Sequence, residues 1–568
     1  MASHWTSRII SLGLIALLVL LLVVPVCVVV YSGFVEDGRW TTVWFLDIFE
    51  DPLYREGLVN SLILGAAVTI LAQLIALPLA LLANRFEFMG RPLLVALVQV
   101  PLILPPFVGA AGLKGMLSRT GGINMWLADL GIISADQPID WLAHRFLSCV
   151  VLEALYLYPI SFLNTQAALA NIDPSLHDAA EDLGSGGLRR LWNVTLPLAR
   201  QGLFAGSALI FIWSCTELGT PLMVGYQDLT VVQVFSELRT TNPSGGAYAL
   251  VTLLLVICAV AYALGKWLLG RPIPVAPSTS EPIKRRLTGW SAALAAAPFV
   301  IVFMLAVIPH IGVLLGSISK GGLISLAGDN LTVDHYRRLW LDFGTSDHFS
   351  AAQSIVNSFK YSILAMSADI FLGIAIAYLV VRRYSKLNAS LDFLAMLPLA
   401  VPGLIMAFGY FAMTQGDTVL SFLDPLQNDP TPLLVIAYSV RRLPFLVRSC
   451  AAGLEQISES LEEAAIDLGA NRIRTLMLIV IPLLTANLFA GGILVFSRSM
   501  LEVSDSLILS FDKKTYPLTK AIWELSAIPD SGLETACALG TVGMVLLGTT
   551  MITASLLLGR RFGSVFRI

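Results

Sequence analysis

The sequence has 568 residues, of which 56% are hydrophobic and 13% charged, and it carries a net charge of −3. Soluble globular chains are about 25% charged, so this composition belongs in a bilayer. The near-neutral balance, without a Lys/Arg-rich run interleaved with aromatics, argues against nucleic acid as a partner.

The first apolar run, Ile9 to Val30, follows His4 and Arg8 and is long enough to cross about 30 Å of hydrocarbon. It lacks a small-residue cleavage site and is read as a retained helix. Further spans are expected over 58–83, 92–117, 145–168, 202–226 and 247–269. Next comes Arg271-Pro272-Ile273-Pro274-Val275-Ala276-Pro277-Ser278-Thr279-Ser280-Glu281-Pro282, whose prolines cannot continue a helix and predict an extended linker over 271–289. A second set of spans is expected over 290–316, 353–381, 390–414, 431–453, 485–510 and 535–559. The reading is an all-α polytopic membrane protein with twelve transmembrane helices, six in a first half (1–270) and six in a second (290–568). Cys27, Cys149, Cys215, Cys258, Cys450 and Cys537 lie mostly in apolar runs with no CxxC pair, so they read as small apolar residues and not as a disulfide frame or metal site.

Basic residues collect in alternate loops: Arg85 and Arg91, Arg189 and Arg190, Lys284 to Arg286, Arg382, Arg383 and Lys386, and Arg560, Arg561 and Arg567. The positive-inside rule makes that side cytoplasmic and puts both termini on it. The opposite loops carry Glu36, Asp37, Asp47, Glu50, Asp51, Asp334, Asp342, Asp347, Asp417, Asp424 and Asp429, either as solvated residues or as a surface for a partner.

The two halves repeat. Asn60-Ser61 returns as Asn357-Ser358, and Pro101 and Pro105 return as Pro398 and Pro402, all at a separation of 297. Later landmarks return at 285, so the twelve-residue change falls between the third and fourth spans of each half. With six spans between them the copies point the same way, as parallel repeats about an axis along the membrane normal with a path between them.

Two polar, helix-prone inserts on the basic side are the most specific signal. Leu176-His177-Asp178-Ala179-Ala180-Glu181-Asp182-Leu183-Gly184 runs on to Leu196-Pro197, and Leu461-Glu462-Glu463-Ala464-Ala465-Ile466-Asp467-Leu468-Gly469 runs on to Ile481-Pro482. The differences 463 − 178, 469 − 184 and 482 − 197 are all 285. Paired alanines give each helix a small-residue face that another protein can approach, and the glycine allows a left-handed stop.

This pattern resembles the EAA loop of permease subunits in binding-protein-dependent type I ABC importers. The second copy matches with Glu463, Ala464, Ala465 and Gly469; the first has Asp178 in place of Glu, with Ala179, Ala180 and Gly184. The layout is most similar to the fused two-half permeases of ferric iron importers. The resemblance implies EAA loops at 169–197 and 454–482 that dock on two copies of a cytoplasmic ATPase. ATP and Mg belong to that ATPase, with no cofactor and no metal in this chain. It also implies a periplasmic solute-binding protein, the bacterial inner membrane as location, and alternating access of ferric iron. Thiamine, aminoethylphosphonate and polyamine are the alternative cargoes.

Just past each loop a carboxylate re-enters the membrane. Ser214 and Glu217 match Ser499 and Glu502, with Asp505 beyond, and 502 − 217 is again 285. Ionisable groups at this depth face a cavity or a partner, so these residues are candidates for the translocation path, or else pin a broken helix. An Arg498–Glu502 pair at i, i+4 would favour the second role. Pro101, Pro105, Pro398 and Pro402 predict paired kinks, as a gate or as static shape. Arg441 and Arg442 are read as snorkelling to the cytoplasmic surface, with pairing to an acid such as Asp369 as the alternative. No GxxxxGK[ST] phosphate loop and no catalytic or metal cluster is visible, which counts against a membrane-embedded enzyme and leaves an ion-driven secondary carrier as the other rival.

Overall fold

The computed structural model describes residues 2–36, 38–102, 106–119, 121–134, 136–238, 245–269, 284–320, 330–341, 350–383, 385–416, 418–529 and 531–558. The described residues are almost wholly helical. In the first half of the chain the helices are α1 (Ala2–Leu18), α2 (Val24–Gly33), α3 (Val43–Glu50), α4 (Pro52–Arg85), α5 (Arg91–Leu97), α6 (Pro106–Leu117), α7 (Gly122–Asp129) and α8 (Arg145–Ala170). They continue with α9 (Pro174–Asp182), α10 (Gly187–Arg190), α11 (Leu196–Cys215), α12 (Gly219–Val224), α13 (Thr230–Leu238) and α14 (Gly245–Leu269). The second half begins with α15 (Trp290–Ile318), α16 (Asp334–Arg338), α17 (Ala351–Arg382), α18 (Lys386–Met396), α19 (Gly403–Thr414) and α20 (Thr431–Gln456). It ends with α21 (Glu459–Asp467), α22 (Arg472–Thr475), α23 (Ile481–Met500), α24 (Ser504–Leu509), α25 (Leu518–Ser526) and α26 (Gly532–Leu558).

Among the described residues 9 helices are long and apolar enough to cross a membrane, or up to 11 if each of two bent pairs is one span. The longest, α4, has 34 residues. At 1.5 Å per residue it is about 50 Å long, well beyond the hydrocarbon thickness. Asp51 caps it by accepting from Leu53 N at 2.8 Å, and Pro52 fills its first turn, where no N–H is needed. One bent pair joins Lys386–Leu399 to Gly403–Thr414 at 103°. Pro398 lies in the 3-10 turn Leu397–Leu399 of that bend, and Pro402 is the N-cap residue of α19. In the first half Pro101 occupies a matching 3-10 turn, Val100–Leu102. Pro105 lies outside the described residues, as do Asp37, Asp342, Asp347, Asp417, Arg560, Arg561, Arg567 and most of the linker.

The chain folds as two compact units that do not follow its two halves. One unit comprises Met1–Thr41, Arg337–Glu524 and Val542–Ile568; the other comprises Thr42–Tyr336 and Leu525–Thr541. In the first unit α1 and α2, from the start of the chain, pack on α18 and α19. Leu18 sits in an apolar cluster with Ile376, Leu379, Leu391, Ala395, Leu443 and Val447. Ser11 Oγ donates to Asn388 Oδ1 at 2.7 Å, and Tyr410 Oη donates to Leu21 O at 2.6 Å. In the second unit α15, from the second half, packs on α6 in the same way.

Each contact includes a glycine at the crossing. A Cβ on Gly409 would meet Pro25 O at 2.6 Å, and one on Gly112 would meet Pro309 O at 2.3 Å. Since 409 − 112 is 297, these are the same repeat position, and in both places only glycine lets the crossing backbone approach so closely.

Candidate functional site

The two EAA-like loops fold alike. Asp173 caps α9, accepting from Ser175 N at 2.9 Å, and Ser458 caps α21, accepting from Ser460 N at 3.3 Å. Both helices end in a Schellman motif. Gly184 has φ +76°, its N–H donating to Glu181 O at 2.8 Å while Ser185 N donates to Ala180 O at 2.9 Å. Gly469 has φ +89°, with Gly469 N to Ile466 O at 2.9 Å and Ala470 N to Ala465 O at 3.0 Å. These bonds satisfy carbonyls that the helix end would otherwise strand, and they require a left-handed residue at the glycine position.

Asp178, Ala179, Glu463 and Ala464 are exposed, whereas Ala180 is half-buried and Ala465 buried. Around the alanines each loop shows large apolar side chains to solvent: Leu183 (87% exposed), Leu188 and Trp192 in the first, Leu468 (89%), Ile473 and Met477 in the second. Each of these pairs is 285 apart. Leu188, Trp192, Ile473 and Met477 lie at the start of the candidate membrane spans Gly187–Cys215 and Arg472–Met500, whereas Leu183 and Leu468 stand at the ends of the loop helices before them.

The loops are braced differently. In the second, the Arg382 guanidinium at the end of α17 meets Glu462, Nε to Oε1 at 2.8 Å, and its Nη2 donates to Ile457 O at 2.8 Å. Tyr378 Oη donates to Glu462 Oε2 at 2.9 Å. In the first, the residue at the Glu462 position is His177 and the one at the Arg382 position is Arg85. That loop is tied within itself, by Arg190 Nη1 to Glu181 Oε2 at 2.5 Å. The Arg190 hydrogen bond holds the Glu181 carboxyl below its usual range, and the hydrogen bonds from Ser175 do the same for Asp173. Burial, followed by the charges of Arg190 and Arg85, lowers the His177 imidazole below its ordinary value, against a smaller upward pull from Asp178.

Deeper in the second half lies a cluster of buried charge. Arg441 Nη1 meets Glu502 Oε1 at 2.5 Å, Arg442 Nη2 pairs with Glu502 Oε2, and both guanidiniums lie 3.6 Å from Asp505 Oδ2. Arg442, only 5% exposed, also donates to Arg498 O at 3.2 Å and lies over the Tyr438 ring at 5.5 Å. The expectation of snorkelling is corrected for Arg442, which the two carboxylates hold buried; Arg441 meets the same acids while its side chain is 29% exposed. Glu502 takes these ion pairs from α20, and it lies past the end of α23 at Met500. Asp369 accepts from Ser439 Oγ at 2.5 Å. Ser499 is buried beside this cluster.

The first half builds the corresponding place without arginines. Tyr156 and Leu157 stand where the arginines are, and Glu153 stands where Tyr438 is. Glu153, 1% exposed, accepts from Ser214 Oγ at 2.5 Å through Oε2, while its Oε1 has no hydrogen-bond partner. Glu217 accepts from Gly219 N at 3.1 Å. Glu153 was missed in the sequence, although a lone acid within an apolar run was itself the signal. Three acids of the loops read as outer have local tasks: besides Asp51, Asp424 Oδ1 accepts from Gln415 Nε2 at 2.9 Å and Asp429 Oδ1 from Thr431 N at 2.9 Å. Among the described residues no three His, Cys, Asp or Glu side chains are placed to hold a metal ion together.

A family model described as the binding-protein-dependent transport system inner membrane component matches the chain twice, over residues 76–273 and 369–564. The chain belongs to that family. This transport component is a multi-pass inner-membrane protein with two permease regions, and each matched region contains one of the EAA-like loops. Among its relatives is the putative ferric transport system permease protein FbpB 1 of Haemophilus influenzae, 28% identical over 89% of this chain and 78% of that one. The ferric transport system permease protein FbpB of Actinobacillus pleuropneumoniae is 28% identical over 94% and 76%. The spermidine/putrescine transport system permease protein PotB of Haemophilus influenzae is 30% identical over 39% of this chain and 79% of that one. A solved bacterial ABC transporter involved in alginate import aligns with a TM-score of 0.41 at 16% identity, covering 48% of this chain and 96% of the other.

Proposed function

We propose that this transport component is a fused pair of permease halves, 1–270 and 290–568 joined by the linker 271–289, which carries ferric iron inward by alternating access. The observation that carries the proposal is the pair of loops, alike in cap, terminal motif and exposed apolar side chains, at one repeat spacing. Two such knobs suit two copies of one ATPase, which supply ATP and Mg chemistry that this chain lacks. A separate binding protein delivers the cargo at the opposite face, and both termini lie in the cytoplasm with the loops.

Twelve crossings are reached by adding α20 to the nine single helices and two bent pairs. α20 has the length but carries Arg441, Arg442 and Arg448, and Glu502 and Asp505 compensate the first two. The bend at Pro398 and Pro402, with its counterpart around Pro101, serves as a hinge for the rocking motion. Ser214 and Glu217 belong to the path from the first half; Ser499, Glu502 and Asp505 shape its wall from the second.

The names of the full-length relatives support ferric iron. The PotB relatives, similar to part of the chain, favour a polyamine as the second reading. The test is import into vesicles holding the permease, its ATPase and the loaded binding protein. ATP-dependent uptake of ferric iron, unaffected by a protonophore and not competed by spermidine, is expected. Spermidine uptake would move the cargo to the second reading, and protonophore-sensitive uptake without an ATPase would overturn the importer.

A further inference from the structure

Arg382 and Glu462 form a buried bridge between a coupling helix and the membrane helix above it, and nothing about the EAA pattern requires that bridge. α17 has 32 residues, so at 1.5 Å each it runs about 48 Å and extends past about 30 Å of hydrocarbon. Its last residue is Arg382, which engages both carboxylates of the first turn of α21: Glu462 at 2.8 Å and Glu459 at 3.6 Å. With Tyr378 Oη on Glu462 and Ile457 O on the guanidinium, one planar cation fixes the helix and the connection entering it. Charge-assisted bonds of this geometry are directional, and a half-satisfied set is costly, so the contact holds one arrangement.

We infer that Arg382 and Glu462 are positioning residues that make α21 a rigid extension of α17, and that the first half lacks this strut. The inference rests on the reading of α21 as an ATPase-docking helix. α21 is joined by the chain to α20 and, through α22, to α23, while the ion pair adds α17. A displacement of α21 thus moves three packed helices together. In the first half the repeat positions of Glu462 and Arg382 hold His177 and Arg85, which form no carboxylate–guanidinium pair, and the ion pair of that loop, Glu181 with Arg190, leads back into the loop itself. A push on α9 passes along the chain to α8 and α11, without the ion pair that ties α21 to α17. The two knobs are alike on their outer faces and unlike at their roots, so the second half is the stiff lever.

The experiment uses the assembled transporter with its ATPase and loaded binding protein in lipid. Docking is read separately, as a disulfide cross-link from Glu463→Cys to the ATPase. Arg382→Gln and Glu462→Gln are expected to keep assembly and the cross-link and to lower import about ten-fold, with ATP hydrolysis no longer raised by the loaded binding protein. Tyr378→Phe, which removes one hydrogen bond, lowers import about two-fold. The exchange Arg382→Glu with Glu462→Arg restores at least a third of import, as a paired contact requires, and the retained assembly and cross-link of the single variants separate positioning from folding. Arg85→Gln stays within two-fold of the parent. Unchanged import in the single variants, no recovery in the exchange, or an equal loss in Arg85→Gln overturns the inference. A parent transporter that gives no cross-link from position 463 overturns the docking reading instead.

Discussion

Arg442 is a cation placed where a bilayer protein tolerates one only in company. Its charge is offset by Glu502 and Asp505, and its neighbour Arg441 shares the same two carboxylates. Removing one member of such a buried set costs about 3–5 kcal/mol, because the remaining charges lose compensation without regaining water. Arg442→Gln is therefore expected to lower the thermal midpoint and the folded yield in detergent, and Arg442→Gln with Glu502→Gln to recover most of the loss, since Arg441 and Asp505 still balance. A double variant no better than the single one would mean that shape, not charge, holds the place. His177 makes a prediction in the opposite sense. Its imidazole lies below the ordinary value of 6.5, through burial and then Arg190 and Arg85. As pH falls, the opened loop binds a proton before the packed loop does, so packing weakens between the ordinary value and the lowered one. Hydrogen-exchange protection over 173–190, taken relative to the intrinsic rate at each pH, is expected to fall from about pH 7.5 to about pH 5.5, and His177→Gln to flatten that change.

Whole elements are governed by how they end. Gly469 and Gly184 sit at φ +89° and +76°, and a Cβ at either meets nothing within 4 Å, so the backbone alone resists substitution. Gly469→Ala is expected to cost about 1–2 kcal/mol of local order, less for Gly469→Asn, which accepts left-handed backbone more readily. Trypsin cleavage at Arg472 and Arg474 in the isolated permease reads this: faster for Ala, intermediate for Asn, with equal rates counting against the argument. This helix end was legible in the sequence because glycine, paired alanines and acid lie within seven residues. The root of the same helix was not, since Glu462 finds Arg382 80 positions away. Hydropathy likewise located the long spans but could not pair Arg442 with a carboxylate 60 positions on. In each case local pattern records propensity, and the partner of a charge is a property of packing.

At the scale of the whole molecule the repeat in the sequence and the units in the fold divide the chain differently. The unit holding most of the second half includes α1 and α2, and the unit holding most of the first includes α15. Gly409 and Gly112 mark where each visiting helix lies against its host, at 2.6 Å and 2.3 Å for an added Cβ. A half made alone would thus lack the helix that covers its third span and would expose an apolar face together with Asn388 and Tyr410, which take partners from residues 11 and 21. Exposed surface of that kind aggregates in detergent and is cleared in cells. Cutting the chain between Pro277 and Ser278, within the proline-rich stretch, leaves both visiting helices on their own fragments. The two fragments are expected to be recovered together as one monodisperse species when co-expressed, and each to aggregate when expressed singly. A monodisperse second fragment on its own would show that α1 and α2 are dispensable. Gly409→Leu in the co-expressed pair should then weaken the association, because a side chain placed against Pro25 displaces one of the two visiting helices at a cost of about 1–3 kcal/mol of overpacking, and Gly112→Leu added to it should separate the fragments.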